Sequence, residues 1–283
     1  MDKKKKKSII LYSFIAVLVL IGAFCSTVFL NPRIKHQVQE KHTPISTKAL
    51  GSASFTFINS DTGMSAVIQA NDGKKIVIDT GSGSNTFLQD YLNGKEVEAL
   101  IITSWDSDHT GGLDGLMATS KIKSVYLPAD GDRAKFQAVG IATTVPENGF
   151  TLDVSDLKFK FIDCDMANLA TLLVHGQDRI LFQGNQLPEQ VDRMLSSNED
   201  IKVSELTGII LAGNGTNEYF SENLMNKEPK FVLGNISTIG QENSKIDEYV
   251  RKNNIDFYNF TYSVTVPLHL TSTGQGVQFI GFE

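Results

Sequence analysis

The run Thr103-Ser104-Trp105-Asp106-Ser107-Asp108-His109-Thr110-Gly111-Gly112-Leu113 constrains this chain more than any other stretch. It follows the apolar segment Ala99-Leu100-Ile101-Ile102, which reads as a buried strand, and leads into a short helix-like segment. Two carboxylates and an imidazole fall between positions 106 and 109, ahead of two glycines where the chain must turn. Imidazole and carboxylate are the side chains that hold divalent cations. A loop of them at a strand end is how a sheet protein builds a site.

The remainder of the chain supplies sheets for that loop. Phe55 to Ile58, Ser65 to Gln69 and Lys75 to Asp79 alternate as short strands, with the turn Asn71-Asp72-Gly73 marking a hairpin between the last two. Asn85 to Leu92 predicts a helix, with Phe87, Leu88, Tyr91 and Leu92 on one face. Beyond the loop come a strand at Ser124 to Leu127, a helix near Asp132 to Ala138 and a strand at Ile141 to Thr144. Strands follow at Leu157 to Ile162, Leu169 to His175 and Arg179 to Phe182, the last two joined by the tight turn Gly176-Gln177-Asp178. Pro188 opens a helix to Leu195. Strands at 208–211, 231–234 and 256–259, a helix at 244–253 and a closing pair of strands after Thr261 complete the pattern. Hairpins alternating with single helices predict two sheets covered by helices.

The N-terminus is of another kind. Lys3 to Lys7 form a basic cluster in residues 1–8, and 9–30 carries no charge. At about 1.5 Å per residue that run is roughly 33 Å long as a helix, enough for a bilayer. A cleaved leader has a core of only about 7–15 residues. The expectation is therefore a single-pass signal anchor in the cell membrane, lysines cytoplasmic, followed by a polar linker at 31–52 and an extracytoplasmic domain at 53–283. The cysteines are Cys25, in the apolar run, and Cys164, expected to be a small buried hydrophobe, so no framework disulfide is expected. The chain is at −6, and residues 1–30 hold five lysines and one aspartate, which leaves the outward part near −10. An acidic ectodomain without a basic cluster disfavours nucleic acid as a partner.

With these elements placed, the chain resembles the metallo-β-lactamase fold superfamily, most closely the hydrolase-like domain of the ComEC competence proteins and its free-standing relatives. The motifs are Gly73 to Gly81 (a strand ending Asp-Thr-Gly), Leu100 to Leu113, Asn168 to Val174, Ile180 to Asn185 and residues 206–216. The resemblance implies an α/β (α+β) four-layer αββα sandwich with its site at one edge. It also implies a pair of zinc or manganese ions that activate water. This sequence departs from that ligand set. Ser104 stands at the first histidine of the loop, Asn185 at the bridging aspartate, and Gly213 and Asn214, or their neighbours, where a late histidine pair is expected. The expected cleft is thus Asp79, Ser104, Asp106, Asp108, His109, Asn185 and Asn214, with Asp106, Asp108 and His109 as the residues for one divalent cation (Mg²⁺, Mn²⁺, Ca²⁺ or zinc). The structural alternative is that Asp108 and His109 brace the Gly111-Gly112 turn and Asp79 caps backbone amides. Trp105, the single tryptophan, is expected either to contact a ligand or to fill space that metals would take.

The functional expectation is a membrane-anchored pseudoenzyme, a binding or regulatory module with a protein partner at the cell surface. The alternative is a phosphoesterase-like hydrolase with a single residual cation.

Overall fold

The computed structural model describes residues 51–282, apart from 61, 84–85, 199–200, 202–205, 216, 235–244 and 260–266. The basic tail, the expected anchor at 9–30 and nearly all of the linker lie outside the described residues. Among the described residues no helix is long and apolar enough to cross a membrane.

Two sheets face each other. The first has eight strands in the order β15-β14-β1-β2-β3-β4-β5-β6 and the second seven, β13-β12-β11-β10-β9-β8-β7. In chain order the first holds β1 (Ala53–Ser60), β2 (Gly63–Gln69), β3 (Lys75–Ile78), β4 (Ala99–Ile101), β5 (Ser124–Tyr126), β6 (Ala142–Thr144), β14 (Leu268–Ser272) and β15 (Val277–Phe282). The second holds β7 (Thr151–Val154), β8 (Leu157–Cys164), β9 (Leu169–His175), β10 (Asp178–Phe182), β11 (Gly208–Ile210), β12 (Phe231–Gly234) and β13 (Asp256–Asn259). Short helices flank them: α1 (Phe87–Leu92), α2 (Ser107–Thr110), α3 (Leu113–Thr119), α4 (Arg133–Gln137), α5 (Pro188–Ser197), α6 (Glu222–Met225) and α7 (Lys245–Lys252).

Three apolar clusters give the layering. Phe55, Phe57, Ile68 and Ile78 meet Phe159, Phe161, Leu173 and Phe182 between the sheets. On the outer face of the first sheet, Val67, Val77 and Leu100 pack with Leu88, Leu92, Leu116 and Phe136. On the outer face of the second, Leu172, Leu181 and Ile209 pack with Val191, Met194, Leu224 and Val250. Central strands are therefore covered on both faces, which is why β1 and β3 read as near-continuous buried runs. In β8 the alternation survives where the sheet has an open face, Leu157, Phe159 and Phe161 inward and Lys158 outward. The expected αββα sandwich is the observed fold. β7, α6 and two short 3-10 turns at Ala212–Gly215 and Asn217–Tyr219 add to the elements read from sequence.

The topology fixes where chemistry can occur. β3, β4, β5 and β6 pair in parallel, as do β10, β11, β12 and β13. The carboxyl ends of β3 and β4 and of β10 and β11 open at one rim, where an open α/β sheet places its ligands. β1 begins at the opposite end, with Ala53 paired to Ser272.

Candidate functional site

Asp79 follows β3 with φ of 56°, left-handed backbone that a non-glycine residue adopts only when its surroundings enforce it. Three donors hold its carboxylate. Thr103 N–H donates to Oδ1 (2.7 Å), and Thr103 Oγ1–H and His109 Nδ1–H donate to Oδ2 (2.6 and 2.8 Å). The loop after β4 is tied back from the other side, where the Thr80 amide and hydroxyl both donate to the His109 carbonyl (2.7 and 3.1 Å). A side chain at Gly112 would collide with the Thr80 carbonyl, so the turn the motif supplies is sterically required.

Asn185, beyond β10, closes the network from the second sheet. Gly213 N–H donates to its Oδ1 (3.1 Å), and a backbone amide can only donate, so the orientation of the side-chain amide is fixed. His109 Nε2 faces the same oxygen at 3.1 Å, while Asn185 Nδ2–H donates to Asp106 Oδ2 (2.9 Å). Asp106 sits at the N-cap of α2, but its carboxylate does not cap the helix. It accepts from Asn185 and from Ser104 Oγ–H (3.0 Å) instead. Asp108 Oδ2 lies 3.6 Å from His109 Nε2.

Both nitrogens of His109 therefore face acceptors, an arrangement that favours the protonated ring. Burial alone would pull its pKa down. The Asp79 carboxylate, by charge and by hydrogen bond, overrides this together with Asp108 and Asn185 and raises it to about 9. The network opens onto a small hollow continuous with solvent. Met64, Ala66 and Ile78 of the first sheet and Phe182 and Ile210 of the second line it, with Asp108 and His109 at its polar wall.

The fold thus brings together Asp79, Ser104, Asp106, Asp108, His109 and Asn185. The side chain of Asn214 lies outside the described residues. Asp79, Ser104, Asp106, His109 and Asn185 meet through hydrogen bonds to one another, with Asp108 beside His109 at 3.6 Å, rather than as a cage around an ion. Among the described residues no three or more of His, Cys, Asp and Glu are set to hold a metal. The donor set does not fit a dinuclear centre. Ser104 and Asn185 carry no charge, and a Cβ on Gly213 would meet the Tyr219 ring.

Two sequence expectations are corrected. Trp105 does not fill the rim. Its ring packs edge-on against Phe136 of α4 (centroids 6.3 Å apart, planes at 71°) and covers Gly131, where more apolar surface is on offer. Cys164 is half-buried rather than buried, and burial, with Asp163 and Asp165 beside it, pushes its thiol up to about 12. Sequence reasoning missed Thr103 and Tyr219. Thr103 lay within the quoted run, where its hydroxyl was absorbed into a strand; nothing local to Tyr219 marks it.

The metallo-β-lactamase superfamily model matches residues 60–176, from the end of β1 to the turn after β9. A ribonuclease Z from Clostridium tetani is 40% identical over 57 residues, which cover 20% of this chain and 18% of that protein, so the match reaches less than a fifth of the relative. Among solved structures, the metallo-β-lactamase fold protein YhfI from Bacillus subtilis aligns over 74% of this chain and 96% of its own at 11% identity and a TM-score of 0.53. The metallo hydrolase Igni18 from Ignicoccus hospitalis aligns over 77% and 98% at 13% identity and a TM-score of 0.50. These likenesses concern the fold, and they agree with the motif order and with the two-sheet topology. The chain has the fold of the metallo-β-lactamase superfamily.

Proposed function

We propose that this chain is a non-hydrolytic member of the fold, a binding or regulatory module akin to the competence-type domains. In this reading residues 9–30 hold it in the cell membrane, and its rim is offered to a protein partner at the cell surface. The observation that carries the proposal is the Asn185 amide, with its oxygen on His109 and Gly213 N–H and its nitrogen on Asp106. An aspartate there would set a second carboxylate against Asp106, a repulsion that a cation or a shared proton relieves. An amide satisfies Asp106 with a proton instead. β1 begins at the end of the sandwich opposite the rim. The acidic outward part argues against nucleic acid as that partner. Metal analysis of the purified chain tests the reading, with less than about 0.1 equivalent of zinc or manganese expected. Stoichiometric metal removed only by chelator would refute it.

A second reading draws on the ribonuclease Z match. Here one divalent cation held by Asp106, Asp108 and His109 displaces the hydrogen bonds that Asn185 makes to Asp106 and His109 and supports phosphoester hydrolysis. It requires turnover of bis-p-nitrophenyl phosphate that depends on added metal and is lost in Asp108→Ala. Turnover indifferent to chelator would end it.

A further inference from the structure

Tyr219 ends the second 3-10 turn, Asn217–Tyr219, and its ring lies directly on Gly213. A Cβ built on the Gly213 backbone would fall among Cγ, Cδ2 and Cε2 of that ring, not at the far end of a flexible chain. Gly213 also has φ of 49°, backbone that L side chains rarely adopt. Its amide is the donor that fixes Asn185. Burial, then Glu218, Asp106 and Asp108, hold the Tyr219 pKa above the ordinary tyrosine value.

We infer that Tyr219 and Gly213 form a matched pair in which the aromatic ring occupies the space a side chain at position 213 would use to reach a second cation, closing that half of the rim with protein. The inference rests on the proposed non-hydrolytic reading and goes further. The loss of a ligand at 213 is not a bare deletion that a single reversion would repair, because its volume has been reassigned. Gly213 is held glycine from two directions, by its backbone conformation and by the ring above it. The Tyr219 ring in turn packs on the residue whose amide orients Asn185, so the closed half braces the hydrogen-bonded half. What stays open is the hollow between Met64 and Phe182, and a ligand of the rim reaches the protein there and not over Gly213.

A coupling measurement that needs no metal tests the pair. Gly213→Ala in the native background should lower Tm by roughly 4–10 °C, the combined effect of overpacking and left-handed strain. In a Tyr219→Gly background the same substitution should cost less than half as much, since only the backbone term remains. Equal losses in the two backgrounds would overturn the inference. A metal arm follows on the full chain. Asn185→Asp/Gly213→His should take up no zinc by equilibrium dialysis, and adding Tyr219→Gly should tighten zinc at least about tenfold, read also as a change in Trp105 fluorescence. Zinc bound as tightly with Tyr219 present as without it would also overturn the inference. Stoichiometric zinc in the unmodified chain strikes the non-hydrolytic reading instead, so the two failures are told apart.

Discussion

The two ends of the sandwich are closed by nearly the same chemistry, used differently. At the rim, Asp79, Thr103 and His109 of the first sheet's loops meet Asn185 of the second. At the far end, about 20 Å along β9, Ser272 of β14 meets His175 and Asp178 of the β9–β10 turn. His175 Nδ1 lies 2.7 Å from Ser272 Oγ, and Ser272 Oγ–H donates to Asp178 Oδ2 (2.6 Å). Gly274 N–H donates to the same carboxylate oxygen (3.1 Å), and His175 Nε2 reaches Asp156 Oδ2 (3.2 Å). Serine, histidine and aspartate in contact invite a nucleophilic reading, but the proton runs the wrong way. The serine gives its hydrogen to the aspartate rather than to the imidazole, and it is 0% exposed. This cluster is a sealed staple between sheets. At the rim, Asp108 keeps a quarter of its side chain exposed, and the network borders the hollow. Residue types alone do not separate a staple from a site, nor does exposure, since Asp156 of the far cluster has 27% of its side chain exposed against 25% for Asp108. The adjoining void does.

The largest effect should come from the sealed end. Asp178→Ala removes the acceptor that Ser272 Oγ–H and Gly274 N–H share, leaving Gly274 N–H only the longer bond to Ser272 Oγ (3.3 Å), and removes the charge beside His175. We expect a loss of about 3–4 kcal/mol in denaturant unfolding, with Trp105 fluorescence of the folded protein unchanged because the rim is untouched. A loss below about 1 kcal/mol would break the contrast. The rim should respond to pH. His109 has a folded pKa of about 9 against an ordinary value near 6.5. Its stabilisation is therefore fully present below about pH 6.5 and is lost as pH rises through about 9. The span corresponds to on the order of 3 kcal/mol at most. Unfolding midpoints from pH 6 to 10 should fall for the native chain and stay nearly flat for His109→Gln. Parallel curves would show that the imidazolium contributes nothing.

Most of the fold was legible in the sequence, and the reasons are local. β9, β12 and β13 were read at their observed bounds, because short apolar runs between turn residues leave little freedom. The Asn71-Asp72-Gly73 turn joins β2 and β3 in antiparallel register, as its residues require. β7 escaped notice because it is an edge strand with Asp153 outward, showing the weak alternation of a half-exposed segment. The site was legible as a set of residues but not as a set of bonds. Asp79, Asp106, His109 and Asn185 were each named from the sequence. That the Asn185 amide would turn its nitrogen to Asp106 follows from Gly213 N–H, a contact between two loops that no spacing encodes. Tyr219 was invisible for the same reason.

The smallest effect should come from restoring a carboxylate at the centre of the rim. Asn185→Asp gives His109 a third anionic partner, beside Asp79 and Asp108, and keeps an acceptor for Gly213 N–H. It also replaces the donor to Asp106 by a like charge at hydrogen-bond distance. The first change stabilises and the second destabilises, and each is on the order of 1–3 kcal/mol in a partly buried setting. Their near-cancellation should leave unfolding within about 1 kcal/mol of the native chain at pH 7. Removing the repulsion should expose the favourable part, so Asp106→Asn/Asn185→Asp should be more stable than Asn185→Asp alone by about 1 kcal/mol or more. Adding zinc should stabilise neither variant while Tyr219 covers Gly213. If instead Asn185→Asp alone gained several degrees in Tm on zinc addition, the rim would still be a metal centre lacking one charge, and its likeness to the sealed far end would be superficial.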